Sequence, residues 1–118
     1  MIYGNKFYGY INENNTEILN EAGNNKEITA IYKEKKSIID ENLKGSRESF
    51  KNKDYKKAIT YCKNIISAAD SLIKELNKIT PEGALAKFNK NKYLGYANYM
   101  KQDATIAIGQ AKDEMNKK

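Results

Sequence analysis

Between Tyr55 and Ile79 the apolar positions leave the backbone a single option. Tyr55, Ala58, Cys62, Ile65, Ala69, Leu72, Leu76 and Ile79 follow one another in unbroken alternating steps of three and four, the spacing that lines side chains along one face of an α-helix. Ile59, Ile66 and Ile73 repeat every seven residues beside that seam. The stripe is therefore wider than a two-stranded coiled coil needs and asks for two partner helices. Asp54 stands where an N-cap belongs, and Thr80-Pro81 closes the segment, with Pro81 expected in the first position of the next helix. A helix of this length spans roughly 37 Å at 1.5 Å per residue and sets the long dimension of the molecule.

The flanking segments supply the partners. Ile28, Ile31, Tyr32, Ile38, Ile39, Leu43 and Phe50 recur at mostly helical spacings and predict a helix from about Asn25 to Lys51, with Lys35 interrupting its seam. Gly45 either ends that helix with Ser46 or lies inside it where a neighbouring backbone comes close, since glycine in a helix costs ~1 kcal/mol against alanine. Downstream, Tyr93, Ala97, Met100, Ala104, Ala107, Ala111 and Met115, with Ile108 beside them, form a third seam in a segment from Pro81 to about Asn116, with a break expected near Asn89 to Asn91. Alanine dominates that seam and buries little area, so the terminal helix is expected to be the least firmly held. The fold class is accordingly all-α: an elongated antiparallel three-helix bundle over residues 24–118. Residues 1–23 form a separate element, an extended aromatic arm from Met1 to Ile11 and a short helix from Thr16 to Ala22 stopped by Gly23-Asn24-Asn25.

Ser49 to Tyr61 holds a local likeness. Asp54 and Tyr55 followed by Ala58 resemble the junction of tetratricopeptide repeats and of microtubule-interacting and transport bundles, in which an Asp-Tyr pair opens the second helix and an alanine packs into the hairpin. No second copy is visible, so the resemblance implies an antiparallel helical hairpin at Asn52 to Asp54 rather than a repeat array.

Composition narrows the chemistry. The chain has no histidine, the commonest general acid-base near neutral pH, and no phosphate-cradling glycine loop, Cys/His metal set or nucleophile elbow. No catalytic residue, cofactor or metal ligand is assigned, and the protein is not expected to be an enzyme. Cys62 lies on the apolar face of the long helix and reads as a buried structural thiol. No apolar run approaches the ~20 residues that span a bilayer, and the N-terminus lacks the apolar stretch of a secretory signal, so cytoplasmic synthesis and no membrane partner are expected.

Charge and aromatics suggest where binding occurs. The net charge of +6 comes from twenty lysines and one arginine, a balance that owes as much to lysine-rich codon usage as to anion binding, which usually recruits arginine too. Arg47, Lys51, Lys53, Lys56 and Lys57 gather at the hairpin tip as possible nucleic-acid contacts, while Lys87, Lys90 and Lys92 gather at the opposite junction and would not merge with them. Residues 1–22 carry a net charge of -2 and the rest of the chain is basic. Tyr3, Phe7, Tyr8 and Tyr10 in the arm, and Tyr96 and Tyr99 on the last helix, are the candidate protein-binding residues, because tyrosine gives large contact area at low entropic cost. These features favour a non-enzymatic structural or assembly protein that docks on neighbouring subunits through its arm, by self-association or in a larger assembly. The alternative is a nucleic-acid-binding or regulatory helical protein using the basic tip. The opening Met1-Ile2-Tyr3-Gly4 and its following aromatics resemble the starts of small virion proteins of phages and prophages, which implies a structural component of a phage or phage-like particle.

Overall fold

The protein was analysed as a computed structural model that describes residues 24–117; the expected arm and short helix lie outside the described residues. Three helices follow in order, α1 (Asn25–Lys51), α2 (Tyr55–Asn77) and α3 (Ala84–Met115), and there are no strands among the described residues. Consecutive helices run antiparallel. α2 packs extensively on both neighbours, whereas α1 and α3 touch each other over a smaller area. That is the arrangement its double-width stripe requires: Ala58, Cys62, Ile65, Ala69, Leu72 and Leu76 are buried, and Ile66, Ile73 and Ile79 pack against the core as its shoulder.

Each helix begins and ends for a local reason. Asp54 caps α2, its Oδ1 accepting the Lys57 amide at 3.2 Å. The α1–α2 turn satisfies the last carbonyls of α1 through Lys53 N–H to Phe50 O (3.0 Å) and Asp54 N–H to Ser49 O (2.8 Å), the paired bonds of a Schellman ending. Lys53 occupies the left-handed position of that turn, φ 60°, where glycine is usual. At the other end, α3 starts at Ala84 behind Gly83, whose φ of 93° only glycine takes without strain. Pro81 therefore lies in the connection and not in the first turn of the helix. The Asn24 side chain ties that connection to the start of α1, donating to Thr80 O at 2.9 Å and accepting from the Glu82 amide at 3.0 Å.

Three further expectations change. α3 runs unbroken through Asn89 to Asn91; Asn89 is held by its side chain, which donates to Asn25 Oδ1 at 2.7 Å and links the second turn of α3 to the first residue of α1. Gly45 is interior to α1, and what comes close is the ring of Tyr61 rather than a backbone: a Cβ at 45 would lie 2.5 Å from it. Ile38, counted in the α1 seam, is 40% exposed, and Ile39 takes the core position. The small alanines at 97, 104 and 111, all buried, let α3 lie close along α2.

Candidate functional site

Lys35, the residue that interrupts the α1 seam, reaches across to α2 and pairs with Glu75 at 3.1 Å, and the Ser71 hydroxyl donates to the same carboxylate at 3.1 Å. The lysine hydrogen bond holds the Glu75 carboxyl below its usual range; partial burial opposes this, and Ser71 adds to it. Lys101 on α3 pairs with Asp70 on α2 at 2.6 Å. Where α1 and α3 meet directly, Tyr32 stacks on Tyr93 with centroids 3.9 Å apart and meets Tyr96 edge-on at 5.4 Å. These contacts fasten helices together. They hold Tyr96 partly buried between α1 and α3, its buried hydroxyl meeting no hydrogen-bond partner, and burial raises its pKa.

Tyr99 is placed oppositely, 63% exposed on the outward face of α3. Phe88 (63%) and Ile106 (54%) share that face. Together with Lys92, Gly95, Gln102, Gly109 and Asp113 they form a second seam in steps of four and three, running down the side of α3 turned away from α1 and α2. From Gly95 to Gly109 this seam carries no charge, in a chain with 31% charged residues. Gly95 and Gly109 have ordinary helical backbone and open space where a Cβ would stand. Neither turn geometry nor packing among the described residues requires glycine at either position, and each costs ~1 kcal/mol of helix stability against alanine. The outer seam was readable in the sequence by the same three-and-four rule that found the inner one; the alanine-rich inner seam hid it, because a helix with one packing face accounted for the fold.

The basic tip is assembled as its sequence positions imply. Arg47, Lys51, Lys53, Lys56 and Lys57 are all exposed around the α1–α2 turn, and none forms an ion pair with a carboxylate among the described residues. The end of α3 returns to this tip, bringing Lys117 within electrostatic range of Tyr55. Glu41, Glu48 and Asp54 are interleaved with the lysines around an open groove of about 470 Å³ beside Gly45 and Tyr61. Lys87 and Lys92 stand at the far end, and Lys90 there donates to Ile79 O at 2.9 Å.

Cys62 is buried, with its sulfur 3.4 Å from Ser46 Oγ. Among the described residues no three acidic or cysteine side chains converge on a metal-sized space. No helix among them is long and apolar enough to cross a membrane. Tyr3, Phe7, Tyr8 and Tyr10 lie outside the described residues. Comparison with protein-family models, with curated proteins and with solved structures gives no match.

Proposed function

We propose that this is a non-catalytic assembly protein that docks on other protein subunits through the outward face of α3. The observation that carries the reading is the combination on one face of exposed Phe88, Tyr99 and Ile106 with two mid-helix glycines in open space. Exposed apolar residues occur singly on any surface, but a seam of them in register along a helix is the form that helix-docking partners recognise. The N-terminal aromatics, Tyr3, Phe7, Tyr8 and Tyr10, supply a second docking element on the strength of sequence alone. A place in a phage-like particle rests on the resemblance of the opening residues.

Tyr99→Lys combined with Ile106→Lys tests this reading. Both side chains are exposed, so the variant keeps its helical content and its stability to within ~1 kcal/mol. The wild-type chain purified from its native cells carries stoichiometric protein partners, its own copies or others, and the double variant loses them. A wild-type chain that emerges as a lone monomer, or a double variant that keeps the same partners, refutes the reading.

One observation favours the second reading, nucleic-acid binding at the hairpin tip. Lys53 holds a left-handed position where a side chain costs about 1–2 kcal/mol relative to glycine, and it stands among four other unpaired basic residues. Binding there would weaken steeply with salt. A titration with labelled DNA and RNA at low ionic strength decides it: no binding to either removes this alternative.

A further inference from the structure

We infer that the outward face of α3 pairs with the same face of a second copy of this chain, the two helices running antiparallel about a two-fold axis. The inference rests on the docking reading above and names its occupant. A face that meets itself must be self-complementary, since every contact is made twice. The outer seam meets that condition in one direction only.

Consider first a parallel pair. Seam positions of a parallel pair face their own equivalents, so Lys92 would meet Lys92 of the partner subunit at one end and Asp113 would meet Asp113 of the partner subunit at the other. Both ends would repel. These two residues are the only charged members of the seam, and neither has an ion-pair partner among the described residues. Reversing one helix removes both clashes and brings each lysine to the aspartate end of its neighbour.

Side-chain size selects the same direction. In the antiparallel register that places Gly95 opposite Ile106 of the partner subunit, Tyr99 lies opposite Gln102 of the partner subunit, and Lys92 lies opposite Gly109 of the partner subunit. Each large or long side chain then meets a smaller one, Phe88 lying opposite Asp113 of the partner subunit at either end, and each open glycine receives a knob. Lys92 stands one helical turn from Asp113 of the partner subunit, within reach of its flexible stem. The glycines, which nothing among the described residues accounts for, become the floors of two symmetry-related holes. Of the flanking residues, Asn91, Asn98, Thr105 and Gln110 are uncharged and exposed, and the charged Asp103 and Lys112, also exposed, lie on opposite flanks of the seam.

The test uses the full chain, with sedimentation equilibrium and light scattering from about 1 to 500 µM, a range that covers weak and moderate dimers. A reversible dimer is expected. Asp113→Lys should weaken it about 5- to 30-fold, because two exposed ion pairs are lost and replaced by like charges. Adding Lys92→Asp to the same chain should restore it to within about twofold, since the swapped pair re-forms with opposite polarity. On a Cys62→Ser background, an oxidised mixture of Gly95→Cys and Ile106→Cys chains should give the mixed disulfide, and neither chain alone should link to itself. A monomer at every concentration overturns the inference, as does a dimer indifferent to Asp113→Lys or one whose single-cysteine chains self-link. A monomeric chain whose native partners are nevertheless stripped by Tyr99→Lys with Ile106→Lys would sink the self-pairing while leaving the docking face standing.

Discussion

Gly45 and Gly95 are both glycines in the interior of a helix, and substitution should separate them. At Gly45 an added Cβ would overlap the Tyr61 ring. The ring must move, at a cost of about 1–3 kcal/mol that outweighs the ~1 kcal/mol gain in helix propensity. Gly45→Ala should therefore lower stability by roughly 1 kcal/mol, whereas Gly95→Ala, facing open space, should raise monomer stability by about 0.5–1 kcal/mol; urea unfolding of dilute protein measures both. Equal effects at the two positions would mean that the Tyr61 contact does not constrain α1. Tyr96 offers a second contrast. Its buried hydroxyl meets no partner while its ring packs on Tyr32, so Tyr96→Phe keeps the ring and removes a polar group left unsatisfied. The expected result is unchanged or higher stability, by up to ~1 kcal/mol. A loss of more than ~1 kcal/mol would show that the hydroxyl finds a partner such as bound water. Tyr96 and Tyr99 read alike in the sequence, as candidate protein-binding residues, yet Tyr99 is exposed and Tyr96 is partly buried. Tyr96 and Tyr99 are three residues apart, and which of them faces α1 depends on how α3 is rotated against two neighbours at once.

At the scale of the element, the helices themselves were legible to within a few residues because two signals agreed over long stretches, the apolar period and the caps. α1 runs from Asn25 to Lys51 as its periodicity predicts, and Asp54 opens α2. Misreadings came where a local rule met tertiary context. Pro81 is permitted in a first turn, but Asn24 holds the connection and delays α3 to Ala84; Lys35 broke the α1 seam on paper because its partner, Glu75, lies forty residues away. That pair yields a pH prediction. The folded pKa of Glu75 lies below its ordinary value of 4.5. Its contribution is therefore full above that value and is lost as pH falls through the folded pKa. Lys35→Met should flatten this acid limb and lower stability near neutral pH by up to ~1 kcal/mol, because Glu75 keeps its charge but loses the cation beside it while staying partly exposed. Chemical denaturation of wild type and variant across the acid range checks both parts, and an acid limb unchanged by the substitution would remove the pair as its cause.

For the whole molecule, α3 carries two seams on opposite sides, and α1 and α2 cover only the inner one. The inner seam explains the bundle, which is why the fold could be read from sequence while the outer seam went unread: its meaning depends on a surface that α1 and α2 do not supply. The glycines separate the two uses by experiment. Gly95→Ala with Gly109→Ala adds helix propensity at two sites without touching the bundle, so dilute monomer should gain about 1–2 kcal/mol and melt several degrees higher. If α3 pairs with a second copy, the same methyls fill the holes that receive Ile106 and Lys92 of the partner subunit, and self-association weakens. The melting temperature of wild-type protein should then climb with concentration as mass action favours the dimer, while that of the variant starts higher and stays flat. The two curves converge as concentration rises. Parallel curves, with the variant above by a constant offset, would mean that Gly95 and Gly109 are tolerated surface residues and that the outer seam has no second copy against it.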